Sequence, residues 1–498
     1  MGFRFSVIIL TLLPLFSAAQ PCREVIAYFP SWKWYHRDFL VNPATIDYSK
    51  YTAINYAFFQ PRKDGSITPF DPLADKTLLL GEIKATAPRG YARWKGLGTP
   101  QWHQRQTSLV SKAHANGVKV LISVGGWTLS KYFSGIAGSE SKRHRFAHSC
   151  NELVRTYGID GIDIDWEYPG YAANHGRPTD GRNFTLLLQT IRDSLDILEK
   201  QTGRQLLLTA AFGVAPTRMD DIEWSSVTPL LDFINLMTYD FYGNNFSVTN
   251  HHAPLFAPKQ GIDGYDLNSV VQYLTDNYGV PAGKINVGVA FYGRSLKTKK
   301  DPGLYVASRK VPDTSTFPDG KGAPPFYTII AQQRRFNYHW DHEAQAPYLQ
   351  GKKPLHTFVS FDDENSVARK ARYILGHGLA GAIVWDITGD YVESRPGSNK
   401  VAWTPLAKAL SDALCNRWVF DDDIDPLSLF SLRPAEKLPM FWVPVYHRTY
   451  VPQLPYDIHP VLSKKEIRRL KKQRKRAQRK QRKKKKPGLP DQYFDGSW

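Results

Sequence analysis

Apolar positions fall in short blocks along the first 415 residues, and their period switches repeatedly between that of a strand and that of a helix. Val118–Val124 is an apolar, β-branched run of the kind found in strands buried on both faces. Seven further blocks have strand length: Glu24–Phe29, Tyr51–Phe59, the segment Gly158–Pro169, Leu206–Gly213, Phe233–Gly243, Ile285–Gly293 and Ala380–Thr388. Between and after them the 3.6-residue period predicts helices over Thr107–Asn116 (closed by Gly117), Lys142–Tyr157, Asn183–Gln201, Leu267–Asn277, Asp363–Leu375 and Pro405–Leu414. Strands alternating with helices predict a parallel (β/α)8 TIM barrel occupying 23–294 and 362–415.

One connection is too long for a crossover helix. Residues 295–361, between strands seven and eight, predict a small α+β insertion domain, with short β-like pieces at Tyr327–Ile330 and His356–Phe361. Its aromatic residues, among them Tyr305, Phe326, Phe336, Trp340 and Tyr348, argue for a packed unit rather than a disordered loop. After Cys415 the periodicity ends. Residues 416–462 form a Pro- and aromatic-rich extension, and 463–498 a basic tail without apolar positions enough for a core.

Charge sharpens that division. The 498-residue chain carries a formal net charge of +19, and Lys464–Lys486 alone holds 16 Lys/Arg against one Glu, leaving +4 for everything else. The tail is therefore expected to be solvated or to grip an anionic surface or polymer, and such binding would fall with salt. At the other end, Arg4, the apolar run Phe5–Phe16 and the small residues Ser17–Ala19 read as a secretory leader over 1–19. That run is shorter than a membrane span, and no second long apolar run follows, so a secreted monomer, extracellular or periplasmic, with no integral membrane segment is expected. Three cysteines, Cys22, Cys150 and Cys415, allow at most one disulfide, and their spacing does not select the pair.

The chemistry concentrates in Gly158–Pro169, G-I-D-G-I-D-I-D-W-E-Y-P. Strand alternation puts Asp163, Asp165 and Glu167 on one face and Ile162, Ile164 and Trp166 on the other. Stacked carboxylates repel one another and resist desolvation, so at least one pKa is pushed upward, as a general acid near neutral pH requires. Asp160 lies off that face and is expected to be structural.

These residues resemble the D-x-x-D-x-D-x-E signature of family 18 glycoside hydrolases, the chitinase family. Ser123-Val124-Gly125-Gly126 resembles the family's second signature, Met237-Thr238-Tyr239-Asp240 its third, and Trp385 the Trp that floors the reacting-sugar subsite. Tyr292-Gly293-Arg294 and Phe361–Val367 are similar to segments flanking the inserted domain in the deep-groove branch. The resemblance spans about 23–415. It implies hydrolysis of β-1,4-linked N-acetylglucosamine polymers with retention, the substrate's own acetamido group serving as nucleophile, and neither metal nor cofactor. Carried over residue by residue, it makes Glu167 the acid, with Asp165, Asp163, Tyr239 and Asp240 assisting. Substrate contacts are expected from Trp385, Tyr28, Phe59, Trp127, Met237, Arg294 and Tyr242, with Trp32 and Trp34 as stacking candidates on a longer chain. Ser123, Gly125 and Gly126 are expected to support the acid row by close packing. Two alternatives remain beside the chitinase reading: a non-catalytic chitin-binding lectin, disfavoured by the intact Glu167, and a relative cutting N-glycan cores or peptidoglycan.

Overall fold

The computed structural model describes residues 23–81, 108–395, 398 and 400–415. The leader, the 416–462 extension and the basic tail lie outside the described residues. Eight parallel strands close on themselves: β1 (Glu24–Pro30), β2 (Ala53–Pro61), β3 (Lys119–Gly125), β4 (Gly161–Asp165), β5 (Leu207–Phe212), β6 (Phe233–Leu236), β7 (Ile285–Ala290) and β8 (Gly381–Trp385). β1 pairs with β8 on one side and β2 on the other, which closes the barrel. A short strand, Ile67–Pro69, folds back antiparallel on β2.

The two faces of each strand bury different things. Outward residues such as Val120, Ile122, Ile162 and Ile164 pack beneath the surrounding helices in one large apolar cluster. Inward, Ile26, Leu121, Leu207 and Ile383 belong to a second, smaller cluster. At the next level inward positions turn polar: Ser123 and Thr209, two residues beyond Leu121 and Leu207, and Asp163 and Asn235 on β4 and β6 are all fully buried. An apolar plug thus fills one level of the barrel and a polar layer sits above it, toward the C-terminal strand ends where such barrels place their chemistry.

β6 is shorter than its apolar run predicts. The ladder stops at Leu236 because Thr238 uses its side chain instead: its hydroxyl donates to the Gly288 carbonyl at 3.0 Å and accepts the Gly288 N–H at 2.7 Å. The chain then leaves the barrel wall, with Asp240 in the left-handed region at φ 61°.

Between β7 and β8 stands a five-stranded antiparallel sheet in the order Ser308–Pro312, Gly293–Thr298, Thr357–Phe361, Ala346–Gly351, Phe336–Asp341. It begins at Gly293, two residues before the start expected for the insertion. Tyr327–Ile330, expected to be β-like, belongs to a helix, Phe326–Gln332. Pro325 at its N-cap and the burial of Phe326, Ile329 and Ile330, at i, i+3 and i+4, select the helical period. Among the cysteines, Cys415 is disulfide-bonded and Cys150 is a buried free thiol. No helix among the described residues is long and apolar enough to cross a membrane.

Where the sheet returns to the barrel, Lys370 on the helix Glu364–Gly376 donates to Asp362 at 2.6 Å, and both side chains are completely buried. Ser366 donates to the other Asp362 oxygen at 2.7 Å. Lys370→Met would strand a buried carboxylate, so it is expected to lower unfolding free energy by about 3–5 kcal/mol in denaturant titrations. Asp362→Leu added to it should recover much of that loss.

Candidate active site

β4 delivers the acid row. Ile162 and Ile164 face the outer helices, and Trp166 stacks on Phe133 with ring centroids 5.3 Å apart, so the alternate residues Asp163 and Asp165 turn inward. Asp163 accepts from four donors: Tyr28 Oη at 2.9 Å and Ser123 Oγ at 2.8 Å on one oxygen, Thr209 Oγ1 at 2.5 Å and Asn235 Nδ2 at 3.1 Å on the other. Burial pushes its pKa up, and the four donors pull against that by favouring the carboxylate.

Asp165 has no such support. Its Oδ1 is buried without a hydrogen-bond partner. Burial first, then the charges of Glu167 and Asp163, drive its pKa far above the usual carboxylate range. Of these two acids Asp165, without the donors that favour the Asp163 carboxylate, is pushed further toward its protonated form. Glu167 is pushed up to about 7, chiefly by burial, against hydrogen bonds from the Tyr168 side chain and the Trp127 backbone.

Backbone contacts fix the turn that carries Glu167. Its N–H donates to Ser130 Oγ at 2.9 Å, and its carbonyl accepts from Asn174 Nδ2 at 2.8 Å. The Gly126 N–H donates to the Asp165 carbonyl at 2.7 Å. Gly125, at φ 121°, allows this approach, since a Cβ there would lie 2.1 Å from the Asp165 oxygen.

Asp240 and Arg294 answer one another. Arg294 Nε donates to Asp240 Oδ1 at 2.6 Å, which holds Asp240 well below the ordinary range despite its burial. A charged Asp240 in turn helps keep Glu167 protonated. The Tyr239 phenol is driven upward by burial and by Asp165, so it remains a donor at any working pH. Tyr239 packs edge-on against Tyr292 with centroids 6.1 Å apart, and its ring occupies the space left by Gly288. A Cβ at Gly288 would stand 2.7 Å from two Tyr239 ring carbons. Gly288→Ala is therefore expected to displace the phenol, along with the Thr238 backbone nitrogen 2.8 Å from the same Cβ, and to lower kcat about 10²-fold. Steady-state kinetics beside Tyr239→Phe checks this; an unchanged kcat would detach Tyr239 from the site.

Trp385 lies across the mouth, 5.5 Å from the Tyr28 ring and stacked on Phe58 at 5.8 Å. Trp32 stacks on the far side of Phe58, also at 5.8 Å. Met237 packs against the same inner cluster. Trp127 is half-buried and meets Tyr168 and Tyr171 edge-on or tilted.

Three expected contacts do not come to the mouth. Phe59 is fully buried in the outer core against Tyr56 and Tyr157, and Phe58 takes the inward place. The pairing register of β2 with β3 shifts between Ala57 and Phe59, so simple alternation misassigns the pair. Trp34 is likewise fully buried, packed on Tyr35 and Phe39. Tyr242 packs between Phe246 and Tyr265, and its hydroxyl accepts the Ile262 N–H at 2.6 Å, which commits it to its own loop. Asp160 binds the Val120 N–H, His114 and Arg204, none of them part of the acid row. Thr209, Asn235, Ser130, Tyr168, Asn174 and Phe58 were not singled out from sequence. A polar residue at an inward position of an apolar strand would have flagged Thr209 and Asn235.

A model of glycosyl hydrolases family 18 matches residues 24–390. The chain belongs to that family. Chitinase A1 of Niallia circulans is 32% identical over 419 residues, covering 76% of this chain and 58% of that protein. Chitinase 1 of Aphanocladium album is 31% identical over 400 residues, covering 76% and 83%. Among solved structures, chitinase ChiA74 from Bacillus thuringiensis superposes with a TM-score of 0.65 at 29% identity, covering 82% of this chain and 72% of that one. A family 18 N-acetylglucosaminidase from Paenibacillus barengoltzii gives 0.60 at 30% identity, covering 78% and 99%. This family 18 member thus spans under two thirds of Chitinase A1 and most of the other three.

Proposed function

We propose that this family 18 protein is a secreted chitinase that cuts β-1,4-linked N-acetylglucosamine chains with retention, by participation of the substrate's acetamido group. The observation that carries the reading is the pairing of a half-buried Glu167, whose pKa is pushed up to about 7, and a buried Asp165 Oδ1 that lacks a partner. An unpartnered buried acceptor is costly, and the acetamido N–H of a bound sugar is a donor of the right kind to satisfy it. The apolar run Phe5–Phe16 supports export, and the named chitinases among its relatives support the substrate.

In the first step Glu167 gives its proton to the glycosidic oxygen as the bond to the anomeric carbon breaks. The acetamido carbonyl oxygen bonds to that carbon, closing an oxazolinium ring whose positive charge is shared with the nitrogen. Before the step the row holds two protons, on Asp165 and Glu167, and one negative charge, on Asp163. After it the row carries two negative charges facing one positive ring, a favourable arrangement in a site sheltered from water. Tyr239 donates to the acetamido carbonyl and orients it. Water then attacks the anomeric carbon, gives its proton to Glu167, and reopens the ring with the original configuration. Trp385, backed by Phe58 and Tyr28, supplies the apolar floor on which the sugar ring rests.

The pH profile follows from the acids. As pH rises through about 7, Glu167 loses the proton it must donate, so kcat/KM should fall about tenfold per further unit. On the acid side, activity should fall as Asp163 is protonated, at a pH above that of an ordinary aspartate because burial raises its pKa. Initial rates over pH 3–10 on a soluble oligomer check both limbs.

Polymer, branched N-glycan cores and peptidoglycan, offered separately, test the substrate class. Release of N-acetylglucosamine oligomers from chitin alone is expected. Cleavage of N-glycan cores or peptidoglycan in preference to chitin would replace this reading with that of another family activity, and binding without cleavage would replace it with a lectin.

A further inference from the structure

A second concavity lies beside the catalytic turn and outside the acid row. It is a cavity of about 510 Å³ whose lining includes Lys63, Lys131, Lys142, Arg177, His175 and Ser134, and no carboxylate. The four cations come from separate parts of the chain: the hairpin after β2, the segment after β3, the helix Glu140–Tyr157 and the loop before the helix Asp180–Thr202. None of the four makes an ion pair among the described residues; the Lys131 ammonium rests over the Tyr132 ring at 5.5 Å. Two acids close by in sequence pair outside the cavity and a third lies buried behind its wall. Asp64 holds Arg145 at 3.0 Å, and Glu140 faces His144 at 3.9 Å. Asp180 is buried, accepting Ser134 Oγ at 2.6 Å and the Arg177 N–H at 2.6 Å.

Like charges converging on one cavity repel unless something between them neutralises the field. Surface cations are normally dispersed or interleaved with acids, and here four cations meet at a lining without a carboxylate, the nearest acid being Asp180, buried behind the wall on Ser134 and Arg177. A volume near 500 Å³ is that of a small-molecule site, large enough for a sugar bearing a charged group. Guanidinium and ammonium groups recognise phosphate and sulfate oxygens through charge-assisted hydrogen bonds.

The position adds a reason for such a site. Ser130 and Asn174, which hold the Glu167 backbone N–H and carbonyl, are the immediate chain neighbours of Lys131 and His175 in the cavity wall. A polymer that carries anionic substituents could therefore be held here while an uncharged stretch occupies the mouth. We propose that this cavity binds a phosphate or sulfate oxyanion, free or as an ester on a saccharide chain.

Calorimetry on the full chain tests it, with inorganic pyrophosphate and 6-O-sulfated chitotriose as separate probes. The proteins are wild type, Lys142→Gln/Arg177→Gln and Lys63→Gln/Lys131→Gln; the basic tail is present in all three and contributes the same background. One stoichiometric site is expected in wild type, at least fivefold weaker in each double variant, and weakened further by salt. Thermal melting and hydrolysis of unsubstituted oligomers should match wild type. Equal affinity for the two probes assigns the site to the free oxyanion, and tighter binding of the sulfated sugar assigns it to a glycan ester. Identical stoichiometry and affinity in all three proteins would overturn the proposal whatever the outcome of the chitinase assays. Should a double variant melt early, Arg177→Gln alone carries the comparison, since Arg177 is exposed and its side chain has no partner among the described residues.

Discussion

Glu167→Gln should lower kcat on N-acetylglucosamine oligomers by about 10²–10⁴-fold, with KM changed little. Glutamine keeps the size of the side chain and the backbone contacts to Ser130 and Asn174, which do not involve the carboxyl group. What it loses is the proton that burial holds on Glu167 up to about pH 7. The defect is therefore in the step, not in binding, and calorimetry should find oligomers bound by the variant about as tightly as by wild type. The alkaline fall in rate should vanish with the residue that causes it. A variant retaining a tenth of wild-type kcat would show that another group delivers the proton, and Asp165 would be the next to replace.

Asp165→Asn should cost about 10²–10³ in kcat, a loss of the size seen when a preorganised group facing transition-state charge is removed. The reasoning differs from that for Glu167. Burial and its two acidic neighbours push the Asp165 pKa far above the usual carboxylate range, which favours its neutral form. An asparagine is neutral as well, so Glu167 feels much the same field and the alkaline limb should stay near pH 7. The variant cannot share a proton with its neighbours or become negative as the acetamido nitrogen becomes positive, and that confines the effect to kcat. A displaced alkaline limb with kcat intact would mean that Asp165 serves only to set the Glu167 proton.

Much of this site was legible in the chain. Period-two alternation in G-I-D-I-D-W-E put three acids on one face, and the observed burial of Ile162, Ile164 and Trp166 on the other agrees. Barrel topology was equally legible, since eight strand-length apolar blocks with helices between them admit few closed arrangements. Alternation failed where the backbone departs from a regular strand. Phe58 and Phe59 exchange places because the β2–β3 register shifts between Ala57 and Phe59. The sixth strand ends early because the Thr238 hydroxyl replaces ladder bonds. Nor could one-dimensional pattern show that four donors from β1, β3, β5 and β6 converge on Asp163, or that Lys63, Lys131, Lys142 and Arg177 meet at one cavity. Those are products of closure, which brings together positions separated by tens of residues.

The most direct test of the central claim is the anomeric configuration of the first product. Proton NMR of a β-1,4-linked N-acetylglucosamine hexamer, followed from the first seconds of hydrolysis and faster than mutarotation, reads it without labels. Participation by the acetamido group requires the new reducing end to appear as the β anomer and to relax afterwards toward the equilibrium mixture. Initial release of the α anomer would contradict the mechanism, because it demands a single displacement by water and leaves the paired Asp165 and Glu167 without the roles assigned to them.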